Sequence, residues 1–90
     1  MNILCTSLYE QQLKTILENF AVEDLTATKK FKLYLDTILI NLPTKANKYK
    51  KAQLFDDEDI KEIAHEDFNI LFFIDKISNN YIILAILPKD

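Results

Sequence analysis

The 90-residue chain contains no glycine and no arginine, and only one cysteine, one histidine and two prolines. Each scarcity excludes something. Without glycine no glycine-rich phosphate loop can form, and backbone positions that need positive φ fall to asparagine or aspartate, of which Asn79 and Asn80 are the expected users. Without arginine there is no guanidinium fork for reading bases, so any nucleic-acid contact would be made by lysine ammonium groups to the backbone. The lone Cys5 cannot form an intramolecular disulfide, and with the lone His65 it cannot complete a zinc site of the usual kind. No segment resembles a cleavable signal and no apolar run approaches the roughly 20 residues of a membrane span, so the expected location is the cytoplasm and no membrane contact is expected.

Hydrophobic residues make up 49% of the chain, enough for one compact core without metal or disulfide staples, so residues 1–90 are read as a single domain. The pattern is α+β. Asn2 to Thr6 reads as a short first strand. Ser7-Leu8-Tyr9-Glu10 fits a capping box and predicts a helix from near Leu8 to near Val22, with Tyr9, Leu13, Ile16, Leu17 and Phe20 on its buried stripe. Asp24 is placed to cap a second helix, whose stripe runs through Ala27, Phe31, Leu35, Ile38 and Leu42, widened by Tyr34 and Leu39, until Pro43 stops it. The short polar link makes the pair an antiparallel helical hairpin. Residues 44–53 carry no period and read as a loop.

The last third is a three-stranded antiparallel meander, with strands expected at Asp59–His65, Phe68–Ile74 and Tyr81–Leu87 and turns at Glu66-Asp67 and Ser78-Asn79-Asn80. Phe68, Ile70, Phe72 and Ile74 alternate with Asn69, Leu71, Phe73 and Asp75, which marks that strand as central. Tyr81 to Leu87 is apolar on both faces, as in a strand covered on both sides or covered on one side by a partner.

Charge is segregated. Lys29, Lys30, Lys32, Lys45, Lys48, Lys50 and Lys51 crowd into the second helix and the following loop, where Asp36 is the only acid, although the formal net charge is −3. Such a flank suits phosphate or an acidic partner, or is a solvated face. Asp56-Asp57-Glu58-Asp59 lacks the spaced ligands of a calcium loop and reads as a solvated turn; no metal and no cofactor are expected. His65 has the acid–base character for proton transfer near neutrality, but beside Glu66 and Asp67 it reads more readily as a surface histidine paired with a carboxylate. Cys5 reads as a small core residue, with nothing nearby in sequence to activate it as a nucleophile.

The order of these pieces resembles the toxins of the RelE/ParE superfamily, over almost the whole chain. Its most specific parts are KYKKAQLFDDEDIKEI (48–63) and FNILFFIDKISNNYIILAIL (68–87). The resemblance implies the toxin component of a type II toxin–antitoxin system, of the kind associated with plasmid stabilization. A cognate antitoxin would wrap over the hairpin and sheet in a hetero-oligomer, with Leu13, Leu17, Phe20, Phe73 and Ile83 as its contacts.

The superfamily divides by target. ParE-like members act on DNA gyrase by protein contact, for which Lys48, Lys50, Lys51 and Lys89 are the candidate contact residues. RelE-like members cut mRNA on the ribosome; here Lys48, Lys50, Lys51 and Lys61 would hold phosphate and Tyr49 or His65 would assist. The chain lacks the arginines that RelE-like catalysis uses, and only Leu87-Pro88-Lys89-Asp90 stands where a late histidine or tyrosine is usual. Asp67 occupies the first meander turn, where relatives often have glycine. The ParE-like branch is therefore the leading expectation, the mRNA interferase the alternative, and an inactive, antitoxin-binding module the third.

Overall fold

The computed structural model describes residues 2–89. Strand β1 (Asn2–Cys5) leads into helix α1 (Ser7–Glu23), helix α2 (Leu25–Ile40), a short helical turn α3 (Leu42–Lys45) and a 3-10 turn at Ala46–Lys48. Strands β2 (Ile60–His65), β3 (Phe68–Asp75) and β4 (Asn80–Pro88) follow. The sheet order is β1-β4-β3-β2, with β1 parallel to β4 and the other neighbours antiparallel. The α+β architecture of strand, helical hairpin and meander is that expected from the sequence, and β3 is an interior strand.

Local chemistry sets the element ends. The N-cap of α1 is Thr6 rather than Ser7: its hydroxyl accepts the amide of Tyr9 at 3.1 Å and donates to the carbonyl of Leu84 at 2.8 Å. Thr6 wins because it follows β1 directly, so one hydroxyl both starts the helix and ties it to β4. A single residue, Asp24, joins the two helices. Its amide donates to the Phe20 carbonyl at 2.9 Å, and its carboxylate accepts the amide of Ala27 at 3.0 Å to cap α2.

So tight a link fixes the rotation of α2. Thr28 turns inward, its hydroxyl bonded to the Asp24 carbonyl at 2.8 Å, and Ala27, expected on the buried stripe, is exposed. Tyr34 is 57% exposed, while Phe31, Leu35 and Leu39 hold the stripe. The second helix ends at Ile40, before Pro43. The proline lies in the first turn of α3, where its fixed φ and missing N–H cost nothing.

The stretch read as a loop is partly ordered. Leu42 and Ala46 on the two short turns are buried. Residues 50–52 run antiparallel to the start of β2, with Ala52 donating to Ile60 at 2.8 Å and Glu62 to Lys50 at 3.1 Å. Only three residues pair, too few to show a period in sequence.

One sheet face, through Ile63, Ile70, Phe72, Ile74, Tyr81, Ile83 and Ile86, packs on Tyr9, Leu13, Phe31, Leu35, Leu39 and Leu42 to make the main core. The opposite face is apolar but covered only in part: Ala52, Leu71 and Ala85 are buried, whereas Ile60, Leu84 and Leu87 are half-buried. Strand β4 is thus covered by helices on one side and left partly open on the other. A register shift between Leu71 and Phe72, opposite Ala85 and Ile83, leaves Leu84 without a partner in β3. This bulge lets Ile83 and Ile86 both face the helices.

Positive φ occurs at Glu66 (52°) and Asn79 (61°). Asn79 is as expected, but Asn80 begins β4, and the second special position falls on Glu66, the first residue of the two-residue turn between His65 and Phe68.

Candidate functional site

The lysines of the basic segment do not converge. Lys50 reaches Glu62 at 4.0 Å. Lys61 donates to the backbone carbonyl of Tyr49 at 3.0 Å, and Lys48 is exposed at the end of the 3-10 turn. Lys51 pairs by backbone with Lys61. Alternation along β2 puts Lys61 and His65 on the helix-facing side and Glu62, with the Lys50 ammonium beside it, on the other. Tyr49 is a packing residue, its ring edge-on to Phe72 with centroids 6.0 Å apart. Lys89 lies at the far end of the sheet, its amide donating to the Asp67 carbonyl at 2.8 Å. From Lys61 to His65 alone is about 13 Å of strand, so Lys89 stands well away from Lys50 and Lys51.

His65 is not a surface histidine paired with a carboxylate. It is buried, its ring lies on that of Phe31 with centroids 4.8 Å apart, and Nε2 has no hydrogen-bond partner among the described residues. The second helix covers the end of β2, which local sequence could not reveal. His65 and Lys61 therefore share a strand face, but the imidazole lies against Phe31 while the Lys61 ammonium is engaged by the Tyr49 carbonyl.

Cys5 is exposed rather than a core residue, because β1 is an edge strand and its last side chain falls at the sheet margin. Burial of the thiol itself, followed by the charges of Glu10 and Asp36, raises its pKa above the ordinary thiol value, with Lys32 working in the opposite direction. A thiol held protonated is a poor nucleophile. Nearby, burial pushes the Tyr9 phenol well above its usual range, and its hydroxyl has no hydrogen-bond partner among the described residues.

The residues read as antitoxin contacts divide by depth. Ile83 is fully buried under the helices and Leu13 is 8% exposed, so Ile83 is out of reach of any partner while the helices are docked. Leu17 and Phe20 on α1 and Phe73 on the open sheet face are half-buried. Leu17 and the exposed part of Leu13 line a groove of about 560 Å³ between α1 and α2 that runs from Cys5 and Tyr9 to Ala21 and Thr28. Phe20 lines a second cavity, of about 400 Å³, between the tip of the hairpin and the β2–β3 turn. Sequence inspection did not find that cavity, since its walls come from α1, α2, β3 and a turn.

Asp57 and Asp59 form a local turn, the Asp57 carboxylate accepting the Asp59 amide at 2.8 Å, and Asp59 pairs with Lys76 at 3.3 Å. No helix among the described residues is long and apolar enough to cross a membrane.

Among solved structures, the chain matches one described as "Chromosomal ParDE TA system from P. aeruginosa", with a TM-score of 0.78 over 100% of this chain and 97% of that one. The fold is RelE/ParE-like. Sequence identity is 16%, so the likeness is one of backbone architecture. No protein-family model matches the chain, and no curated protein matches it in sequence. Within the RelE/ParE-like fold, this chain offers a basic segment beside an open apolar sheet face, a groove along its helical hairpin, and an aromatic cavity at the hairpin tip.

Proposed function

We propose that the protein is the toxin of a type II toxin–antitoxin system, kept silent in the cytoplasm by a cognate antitoxin, and that it acts by protein contact on DNA gyrase as ParE-branch toxins do. The observation that carries this reading is the end-to-end likeness to a chain of a ParDE system, at a TM-score of 0.78. The dispersal of the lysines supports contact over cleavage. Cutting RNA through its 2′-hydroxyl requires acid–base groups and cations gathered around one phosphate. Here His65 lies buried against Phe31 and the Lys61 ammonium is engaged by the Tyr49 carbonyl.

In this reading the whole of residues 1–90 works as one domain. Lys48, Lys50 and Lys51 face the target as point charges, and the antitoxin covers Leu17, Phe20 and Phe73. Apolar area buried in that way is worth about 25 cal/mol per Å² before ordering costs. The sheet face that is left partly open around Leu84 and Leu87 would be covered in the same way.

The test is pulse incorporation of labelled thymidine and labelled methionine shortly after inducing this protein alone, paired with supercoiling assays of purified gyrase. DNA synthesis should fall first, and gyrase should lose supercoiling or accumulate trapped cleavage complexes. Translation falling first, with cuts in the ribosomal A site, would replace this reading with the mRNA interferase. No effect from soluble protein would leave an inactive antitoxin-binding module.

A further inference from the structure

The cavity at the hairpin tip has a floor and a rim of different chemistry. Its floor is three mutually edge-on rings: Phe20 and Phe31 have centroids 5.2 Å apart, Phe31 and Phe68 5.8 Å, and Phe20 and Phe68 6.0 Å. Phe31 is buried, but Phe20 and Phe68 are only half-buried, and Tyr34, 57% exposed, adds an outer wall. The volume of about 400 Å³ falls in the range of ligand-binding clefts.

The rim is acidic. Glu23 and Asp24 border the cavity from the hairpin turn, Glu66 and Asp67 from the β2–β3 turn, and Lys30 is the sole cation in its wall. All four acids are exposed, and among the described residues none has a cation within ion-pairing distance. The local balance of four carboxylates against one ammonium is as negative as the formal net charge of the entire chain, −3. Carboxylates without a cation partner, of which Asp24's also caps α2, around an aromatic floor favour one kind of occupant, a cation whose charge meets the rim and whose flat or apolar part lies on the rings. An anion would be repelled, and a neutral apolar group would gain nothing from the rim, whose exposed carboxylates water already hydrates.

We infer that this cavity is a docking site for a basic segment of a partner protein, taking an arginine or lysine flanked by apolar residues, with the cationic head between Glu23, Glu66 and Asp67 and the stem on Phe20 and Phe68. The inference needs no particular target and does not rest on the toxin reading.

The experiment is an NMR titration of the ¹⁵N-labelled full-length protein with the peptide acetyl-Ala-Leu-Arg-Leu-Ala-amide, and with the same peptide carrying citrulline, a neutral isostere, in place of arginine. Amide shifts should concentrate at Ala27, Glu66, Asp67 and Phe68. Citrulline should weaken binding by about tenfold, equivalent to about 1.4 kcal/mol. The double variant Glu23→Gln/Asp67→Asn, at exposed positions, should lose the arginine preference while keeping the native spectrum, and Tyr34→Ala should weaken both peptides. Equal binding of the two peptides, shifts confined to the groove between α1 and α2, or no shifts at about millimolar peptide would each overturn the proposal. None of these outcomes bears on DNA synthesis or gyrase, so this test and that of the toxin reading fail separately.

Discussion

The side-chain oxygen of Gln12 accepts the backbone amide of Ile86 at 2.9 Å, joining α1 to β4 across 74 positions of sequence. Pairing of β1 with β4 ends at Cys5 and Ile83, after which the chain turns into α1. Ile86 is 1% exposed, and its amide points to the side that β1 has left. An unpaired buried amide is costly, and a glutamine from the helix takes the place of the missing strand.

Gln12→Leu should therefore destabilise the protein by about 1–3 kcal/mol, the cost of an orphaned buried donor. In urea unfolding the midpoint should fall with an unchanged m-value. Gln12→Glu keeps an acceptor and should lose less. Equal stability of Gln12→Leu and the parent would mean that water satisfies the amide instead.

His65→Phe keeps a ring against Phe31 and removes a buried nitrogen that has no partner among the described residues. Stability should be unchanged or higher by about 1 kcal/mol, and, under the toxin reading proposed above, the effect of induction on growth should persist. Loss of toxicity with intact folding would point back to acid–base chemistry at this position.

Cys5 is exposed yet has a raised thiol pKa, through burial of the thiol first and then Glu10 and Asp36. Less thiolate is present at any given pH, so alkylation by iodoacetamide near pH 8 should be slower than for a cysteine in an unstructured peptide. Asp36→Asn should speed it; Lys32→Gln should slow it, because the lysine lowers the pKa.

Asp75 closes the β3–β4 turn by accepting the amides of Ile77 at 3.1 Å and Ser78 at 3.2 Å. Its pKa is lowered, chiefly by a side-chain hydrogen bond from Ser78 and then by the Ser78 amide, against some desolvation and with a smaller contribution from Ile77. A depressed folded pKa means that the stabilisation is present above the unfolded value and lost as pH falls through the folded one. Exchange protection of the Ser78 amide should therefore drop on acidification below the ordinary aspartate range, and Asp75→Asn should shrink that pH dependence.

The features legible in sequence are those carried by short-range periodicity. Tyr9, Leu13, Phe31 and Leu35 recur at helical spacing and are buried, and the alternation through Ile70, Phe72 and Ile74 marks a strand with one face in the core. Asp24 announces a helix start because its carboxylate can reach an amide three residues on. The charge segregation was equally plain, but its meaning was not. The lysines look like one patch in sequence, but alternation along β2 puts Lys61 on the helix-facing side and Glu62, with the Lys50 ammonium beside it, on the other.

The departures from the sequence pattern have a common cause. Ala27 and Thr28 exchanged places because a one-residue link fixed the phase of α2, and Cys5 became exposed because β1 lies at an edge. His65 was covered by Phe31, 34 residues earlier in the chain, and the hairpin-tip cavity exists only where Phe20, Phe31 and Phe68 meet. Local propensity and hydrophobic period act over a few residues, so they decided which segments become helix or strand and which side of each is apolar. Which polar groups end up buried, which charges share a face and where a pocket opens depend on contacts between segments far apart in the chain, and those are set only when the elements pack.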